Sequence, residues 1–287
     1  MKIVTDSGAD IDFEECQKLG VHMLPLKVEV DGISYQSGVD ITPARFYELM
    51  DNAENMPKTS TPSIGDFQKL YEELAKEDSE IISIHLSSGL SGTYNTALQA
   101  AKSIKNATID LIDTLTLSAG TAWHVRAAVE MVKNGLSRET ILAKLQQIRD
   151  ASYTFFTLPE LKYLIAGGRI SHLKGLLASL LGIKPIIEVD KNDGKYYDRS
   201  KKRSFLKAIQ GIPELLLKRF PEGTRLRVQI CSAENPEGTA MLKAAMEQYF
   251  MCEWLPVASL GTALGAHTGK GLIGAVVAAV QDLPTLV

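Results

Sequence analysis

The chain has 287 residues, which is enough for two ordinary domains, because one hydrophobic core usually stops growing near that length. Its 45% hydrophobic and 23% charged residues are the proportions of a globular protein and argue against a disordered chain. The 31 basic and 34 acidic residues give a net charge of -3, so the sequence offers no basic footprint for nucleic acid.

Cysteines and apolar stretches indicate the compartment. Cys16, Cys231 and Cys252 are odd in number and far apart, which excludes a disulfide framework or a Cys-x-x-Cys site and predicts buried, reduced thiols. The first residues enter a strand pattern directly, without the apolar region of a signal peptide. The long apolar stretch at 272–280 is too short to span a bilayer. We therefore expect a cytoplasmic protein.

The first half of the chain alternates strand and helix patterns, which favours a parallel sheet covered by helices on both faces. Strands are predicted at residues 3–5, 21–26, 81–86 and 108–113, a hairpin over 27–35, and helices over 43–51, 64–76, 92–104, 117–133 and 137–149. Either Asp10 or Asp12 is predicted to cap an earlier helix that runs through Leu19. Thr42 and Ser63 cap the next two. Residues 57–63 contain two prolines and are predicted to form a polar loop.

The second half includes hairpins, which favour a mixed-sheet α+β domain. Strands are predicted at residues 153–158, 184–189, 195–198, 226–231 and 254–258, and helices at 159–165, 173–181, 237–250 and in a stretch that ends near 219. Gly167 and Gly168 predict a tight turn. We place a domain boundary near residue 155. The predicted fold class is therefore α/β with two domains, a Rossmann-like three-layer domain over residues 1–155 and an α+β domain over 156–287.

The strand-loop-helix junction at residues 81–97 is the first candidate site. A β-branched strand is followed by a loop with Ser87, Ser88 and Ser91, and then by a helical pattern. In a parallel sheet this junction lies at the carboxyl ends of the strands, where ligands bind, and a helix start attracts anions. Further loops rich in hydroxyls are Thr5-Asp6-Ser7, Thr59-Ser60-Thr61, Asp113-Thr114 and His267-Thr268. Such groups can hold a carboxylate or a phosphate by hydrogen bonds.

One incomplete motif leaves an enzymatic alternative open. Residues 89–93 resemble a nucleophile elbow but have Thr93 where that motif requires glycine. The alternative is a hydrolase or acyltransferase with Ser91 as nucleophile and His85 or His267 as base.

Nucleotide and metal motifs are absent from the sequence. Residues 265–271 have three residues between their glycines instead of four, and Gly271 replaces the Ser or Thr that binds magnesium, which excludes a P-loop. The five histidines lack metal-ligand spacing, so no metal site is expected. A sugar- or phosphate-binding α/β protein that uses the same helix start is a further alternative.

Five short motifs occur along nearly the whole chain: Val4-Thr5-Asp6-Ser7, Lys58-Thr59-Ser60-Thr61-Pro62-Ser63, Ser87-Ser88-Gly89-Leu90-Ser91-Gly92-Thr93-Tyr94-Asn95, Gly167-Gly168-Arg169-Ile170-Ser171 and Ala266-His267-Thr268-Gly269. Together, and in this order, they resemble the DegV family of bacterial fatty-acid-binding proteins. The resemblance implies that one long-chain fatty acid is buried between two domains. In family members of the kinase-partner type, the bound carboxylate is presented to a separate fatty acid kinase, which makes an acyl-phosphate for phospholipid synthesis.

The resemblance also implies roles for single residues. It places the carboxylate-binding hydroxyls at Thr59 or Ser60 and at Ser91. It places His267 near the carboxylate. No residue of this chain is expected to be catalytic, and no cofactor is expected besides the bound fatty acid.

Two arginines match basic family positions at the mouth of the site, where the kinase or its phosphate would dock. They are Arg169 and Arg199. The sequence departs from the family pattern at Thr61, where glutamine usually precedes the proline, and residues 198–203 are more basic than the family pattern.

The acyl chain requires an apolar tunnel, and each buried CH₂ group contributes roughly 0.8 kcal/mol. The apolar segments 173–181 and 272–280 fit a tunnel lining and fit ordinary core equally well. The expected partners are a long-chain fatty acid and a fatty acid kinase, with transient membrane contact for acyl exchange and no nucleic acid.

Overall fold

The computed structural model describes residues 1–170 and 182–286. Three sheets organise this part of the chain: a parallel sheet of four strands, a mixed sheet of seven strands and an antiparallel sheet of three strands. The predicted α/β class, with an N-terminal parallel sheet and a C-terminal mixed sheet, is confirmed. The predicted helix at 173–181 lies outside the described residues.

Strands and helices alternate in the order that the sequence patterns predict, and each half also contains a strand or helix that was not predicted. The strands described are β1 (Lys2–Asp6), β2 (Val21–Leu24), β3 (Lys27–Val30), β4 (Ile33–Gln36), β5 (Lys58–Ser60), β6 (Glu80–His85), β7 (Thr108–Asp113), β8 (Tyr153–Thr157), β9 (Lys184–Val189), β10 (Tyr196–Lys202), β11 (Arg225–Ser232), β12 (Met251–Trp254), β13 (Ala258–Ser259) and β14 (Ile273–Ala279). The α-helices described are α1 (Phe13–Leu19), α2 (Pro43–Asp51), α3 (Ile64–Leu74), α4 (Thr93–Ala101), α5 (Ala119–Lys133), α6 (Arg138–Ala151), α7 (Lys162–Ala166), α8 (Phe205–Leu216), α9 (Pro236–Glu247) and α10 (Thr262–Thr268). Short 3-10 turns cover Ser7–Ala9 and Val280–Asp282.

The parallel sheet has the strand order β2-β1-β6-β7 and is covered on both faces. Helices α3 and α4 bury Phe67, Tyr71 and Ala97 against one face. Helices α5 and α6 bury Ala122 and Ile141 with the side chains of the other face. Because all four strands run in the same direction, the loops after β1, β6 and β7 meet at one edge.

Helix starts follow the predicted capping residues. Asp12, and not Asp10, caps α1 by accepting the N–H of Glu15. Ser63 and Asp66 form a reciprocal capping box at α3, which satisfies N–H groups that have no acceptor within the helix. Thr42 caps α2 by accepting the N–H of Arg45.

The prediction of a polar loop over residues 57–63 is wrong at its centre. Residues 58–60 form β5, which pairs antiparallel with β3 so that Thr59 lies opposite Val28. Strand β3 also pairs with β4 in the predicted hairpin. Three polar residues carry no periodic signal, so this strand exists because a partner distant in sequence supplies its hydrogen bonds.

The mixed sheet has the order β10-β9-β8-β14-β11-β12, with β13 also paired to β11. Its central strand β14 falls in the apolar stretch 272–280, and all seven of its residues are buried. The predicted strand over 254–258 is wrong, because pairing with β11 stops at Trp254 and resumes at Ala258. Pro256, which has no N–H to donate, interrupts the ladder.

Helix α10 was not among the predicted elements. It is only seven residues long, and the sequence pattern instead predicts a loop rich in hydroxyls at His267-Thr268. Its apolar side packs among Phe46, Tyr47 and Leu158 in a core cluster between the small sheet and the mixed sheet. This cluster surrounds the candidate site.

Each cysteine of the chain is a free thiol, as predicted. Cys16 and Cys231 are buried, and Cys252 is half-buried. Burial raises the pKa of each thiol to about 11, which keeps them protonated and unreactive at neutral pH. Among residues 1–170 and 182–286, no helix has the length and apolar character needed to cross a membrane.

Candidate functional site

Four of the predicted site residues line one small cavity of about 30 Å³. Thr59 comes from β5 and Ser91 from the loop between β6 and α4. Arg169 follows α7, and His267 lies near the end of α10. Ser60, the alternative to Thr59, is exposed and is not part of the lining, because neighbouring residues of a strand point to opposite faces.

Thr59 and His267 are in direct contact. Thr59 Oγ1 lies 2.7 Å from His267 Nε2, although the two residues are 208 positions apart. The other ring nitrogen, Nδ1, is buried and has no partner within the described part of the chain. Burial, with a smaller contribution from the positive charge of Arg169, lowers the pKa of His267 to about 4. The imidazole is therefore neutral at pH 7.

Ser91 combines a structural contact with its place in the cavity wall. Its Oγ lies 2.9 Å from Thr93 Oγ1 and accepts the Thr93 N–H at 3.3 Å, in the first turn of α4. The hydroxyl therefore lies at the positive end of a helix, where an anion is stabilised. This is the arrangement that the strand-loop-helix pattern predicts.

Close backbone approaches hold the loop that carries Ser91. Ser87 Oγ donates to the Gly194 carbonyl at 2.8 Å, which joins the loop to the turn between β9 and β10. A Cβ on Gly194 would lie 1.9 Å from Ser87 Oγ, and Gly194 also has a φ of +65°. A Cβ on Gly89 would lie 2.3 Å from the Asp193 carbonyl oxygen. Both glycines are required for this junction.

A buried hydrogen-bonded chain lies behind the same loop. His85 bridges Asp6 Oδ2 through Nδ1 and Ser83 Oγ through Nε2, each at 2.8 Å, and Tyr71 contacts Ser83 at 2.8 Å. All four side chains are fully buried. The Leu86 N–H also donates to Asp6, so this chain supports the start of the loop.

These contacts weaken the hydrolase alternative. His85 is engaged with Ser83, and His267 with Thr59. Neither contact places a ring nitrogen on Ser91, so the activated nucleophile of a serine hydrolase is not assembled here. In the described residues no group of three His, Cys, Asp or Glu side chains could hold a metal ion.

The two arginines occupy different surroundings. Arg169 donates to the Gly167 carbonyl at 2.6 Å and to the Leu90 carbonyl at 3.4 Å, so its guanidinium links the turn after α7 to the Ser91 loop. Arg199 lies on β10 and forms ion pairs with Glu188 and Asp190. Arg199 is therefore outside the cavity lining.

A second cavity of about 30 Å³ adjoins the first and is almost wholly apolar. Leu117, Tyr196 and Leu264 line both cavities and so form the wall between them. The apolar cavity is also lined by Phe155, Phe156, Leu260, Leu272 and Ala275. Tyr196 and Leu117 are not predicted as site residues from the sequence, because an apolar side chain carries no local signal that separates a ligand wall from ordinary core.

Comparisons with known proteins agree with this architecture. A DegV domain-containing protein of Staphylococcus aureus is 38% identical over 275 residues, which cover 96% of this chain and 97% of that one. The fatty-acid-binding DegV of Bacillus subtilis is 31% identical with a TM-score of 0.85, over 97% of this chain and 98% of that one. A stearic-acid-binding protein of Eubacterium ventriosum is 27% identical with a TM-score of 0.83, over 97% and 98%. Residues 1–280 match the model described as "Uncharacterised protein, DegV family", and the chain belongs to that family.

Proposed function

We propose that this protein binds one long-chain fatty acid and presents its carboxylate to a separate fatty acid kinase, so that it is a carrier and not itself the enzyme. The observation that carries the proposal is the meeting of two hydroxyls, a guanidinium and a neutral imidazole at one end of a space with apolar walls. The relatives from Bacillus subtilis and Eubacterium ventriosum, which are described as fatty-acid-binding and stearic-acid-binding proteins, support the same ligand class.

The polar end suits a carboxylate. Thr59 and Ser91 supply O–H donors, and Arg169 supplies a positive charge. Charge-assisted hydrogen bonds to a carboxylate are the strong ones among protein hydrogen bonds. His267 holds Thr59 in place and gains a favourable charge interaction if the carboxylate draws a proton onto its ring.

The apolar end suits an acyl chain. Each cavity of about 30 Å³ has room for little more than water, so a chain that enters must displace the shared wall of Leu117, Tyr196 and Leu264. Burial of each CH₂ group contributes about 0.8 kcal/mol, which offsets this rearrangement along a long chain. Leu272 and Ala275, from the apolar stretch at 272–280, line the path.

The ligand would lie between two domains with the boundary near residue 155. Thr59 and Ser91 belong to the first domain, over residues 1–155. Arg169 and His267 belong to the second. Acyl-phosphate formation and phospholipid synthesis would follow on the partner kinase, with transient membrane contact for acyl exchange.

Lipid analysis of the purified protein tests the proposal directly. We expect organic extraction and native mass spectrometry to identify one long-chain fatty acid per chain. Delipidated protein is expected to be stabilised against heat by added fatty acids and not by sugar phosphates, because a ligand that binds the native state raises its stability. Stabilisation by sugar phosphates alone would favour the anion-binding alternative instead. Phosphonylation of Ser91 by a fluorophosphonate with loss of fluoride, together with turnover of acyl esters, would favour the hydrolase.

A matched pair of variants shows which of the two hydroxyls, that of Thr59 or that of Ser60, binds the carboxylate. Thr59→Val keeps the side-chain shape and removes the hydroxyl, so we expect it to weaken fatty acid binding about tenfold. Ser60→Ala is expected to leave the affinity unchanged, because Ser60 is exposed outside the lining. Displacement of a fluorescent fatty acid measures both. A weaker Ser60→Ala variant beside an unaffected Thr59→Val variant would reverse the assignment.

Arg199 is expected to act in kinase docking and not in fatty acid affinity. Its side chain is 32% exposed, and its partner Glu188 keeps an ion pair with Arg219 when Arg199 is removed. We expect Arg199→Ala to bind fatty acid normally and to lower acyl-phosphate formation by the kinase about tenfold, as for a lost interface charge. Lys201→Ala, which removes another exposed positive charge from the same strand, is the control. A normal rate for Arg199→Ala would exclude this role.

A further inference from the structure

Asp10 joins three distant segments of the chain beside the apolar cavity. One carboxylate oxygen accepts the Ser118 hydroxyl at 2.5 Å, and the other accepts the Gly261 N–H at 3.0 Å. These donors are 108 and 251 positions away in the sequence. Ser118 immediately precedes α5, and Gly261 immediately precedes α10. One side chain therefore connects the turn after β1 with the starts of two helices.

Both donors lie on segments that form walls of the candidate site. Ser118 lines the apolar cavity next to Leu117. Gly261 begins the helix that supplies Leu264 to both cavities and His267 to the polar one. A displacement at Asp10 would therefore reach the acyl end and the carboxylate end together.

The start of α10 depends on side chains from other segments. Gly261 has no side chain with which to cap the helix, and the first N–H groups of a helix have no acceptor within it. Asp10 accepts the Gly261 N–H, and Ser37 accepts the Ala263 N–H at 3.2 Å. A Cβ on Gly261 would lie 2.5 Å from Asp10 Oδ1, so the absence of a side chain there allows the contact.

The backbone at both ends of the Asp10–Ser118 hydrogen bond is held in an unfavourable conformation. Asp10 has φ 52° and ψ 36°, and Ser118 has φ 53° and ψ -134°. Residues other than glycine rarely adopt positive φ, and such strain persists where surrounding contacts enforce it, often at functional sites. The geometry of this contact is therefore imposed by the fold.

We propose that Asp10 is a positioning residue for fatty acid binding, whose side-chain length sets where α10, and with it His267, lies relative to the apolar cavity. The inference rests on the proposed function. It assigns Asp10 no contact with the ligand.

Length, and not charge, is the property that matters here. Burial, aided by the negative charge of Asp6, raises the pKa of Asp10 to about 7 against the opposing hydrogen bonds of Ser118 and Gly261. In the neutral form the Asp10 hydroxyl can donate to Ser118 Oγ, while the Ser118 hydroxyl donates to Cys231 Sγ at 3.6 Å. The Gly261 N–H keeps its acceptor in either form. The ionisable groups that face Asp10 are Asp6, Tyr47 and Cys231.

Two substitutions of Asp10 distinguish the effect of its side-chain length from the effect of its charge. Asp10→Asn keeps the length and loses the charge, whereas Asp10→Glu keeps the charge and adds one CH₂ group. Asp12→Ala is the control, because it removes a carboxylate from the same turn and the cap of α1 without touching α10. The readouts are the NMR titration of His267 in ligand-free protein, assigned by its loss in His267→Gln, and the affinity for a fluorescent fatty acid.

We expect Asp10→Asn and Asp12→Ala to keep the His267 pKa near 4 and to bind fatty acid within about threefold of the wild type. We expect Asp10→Glu to move the His267 pKa upward by about one unit and to weaken binding about tenfold. An Asp10→Glu protein that matches the wild type in both readouts overturns the proposal. An Asp10→Asn protein that changes as much as Asp10→Glu also overturns it. If the wild type binds no fatty acid, the proposed function fails, while the His267 titration still decides whether Asp10 positions α10.

Discussion

Replacing Gly167 by alanine is expected to displace the His267 ring and to weaken fatty acid binding at least about tenfold. Gly167 ends α7, and a Cβ added there would lie 2.1 Å from His267 Nδ1 and 3.1 Å from the Tyr163 carbonyl oxygen. The ring cannot yield without breaking its 2.7 Å contact with Thr59. Overpacking of this kind also costs about 1–3 kcal/mol of unfolding free energy.

The neighbouring glycine provides a matched control. Gly168 has a φ of +72°, and nothing lies within 4 Å of the position that its Cβ would take. Gly168→Ala should therefore lose about 1 kcal/mol from backbone strain alone and should keep the wild-type affinity. Thermal unfolding and displacement of a fluorescent fatty acid compare the two variants. Equal affinities for Gly167→Ala and wild type would show that the place of His267 does not matter for binding.

We also expect the folded protein to lose stability against unfolding at acidic pH because of His124. This side chain is fully buried in α5, where its Nδ1 donates to the Gly120 carbonyl at 2.8 Å. Its Nε2 is buried and has no partner in the segments that the structure describes. Burial lowers the pKa of His124 to about 4 from an ordinary value of 6.5.

The direction of the effect follows from proton binding. Between pH 4 and 6.5 the unfolded chain binds a proton at His124 that the folded protein excludes, so stability is lost as the pH falls through this range. At pH 5 the loss is about 2 kcal/mol relative to pH 7.5. Asp10 acts in the opposite direction, because its folded-state pKa of about 7 lies above the ordinary 3.8 and its contribution to stability is lost as the pH rises.

A variant isolates the contribution of His124 from that of Asp10. His124→Leu replaces the ring by an apolar side chain and removes the titration, so it should become more stable relative to wild type by about 2 kcal/mol on going from pH 7.5 to pH 5. Urea unfolding of both proteins at the two pH values measures this difference. A constant difference between them would mean that folding does not lower the pKa of His124.

Local signals in the sequence predicted the elements whose determinants are close together in the chain. Asp12, Thr42 and Ser63 cap helices at the predicted positions, because a capping side chain needs only the N–H groups two or three residues ahead. The alternation of strands and helices predicted the parallel sheet, whose direction requires helical crossovers. The loop with Ser91 could be identified for the same reason.

Elements that depend on distant partners could not be predicted in the same way. Strand β5 forms because β3 pairs with it, and that pairing decides that Thr59 faces the cavity while Ser60 faces solvent. Strand β14 is apolar throughout, so its pattern does not distinguish a buried strand from another core segment. Helix α10 begins with side-chain acceptors from Asp10 and Ser37 instead of one of its own.

The sequence by itself determined the α/β class, most of the helix starts and the supply of hydroxyls and basic groups that the candidate site uses. Only the tertiary structure decided which of them meet. Thr59 and His267 touch across 208 positions, and Arg199 is paired with Glu188 and Asp190 instead of lining the cavity. The physical reason is that a hydrogen bond within one turn depends on a few neighbouring backbone angles, whereas a contact between remote residues depends on how the sheets pack between them.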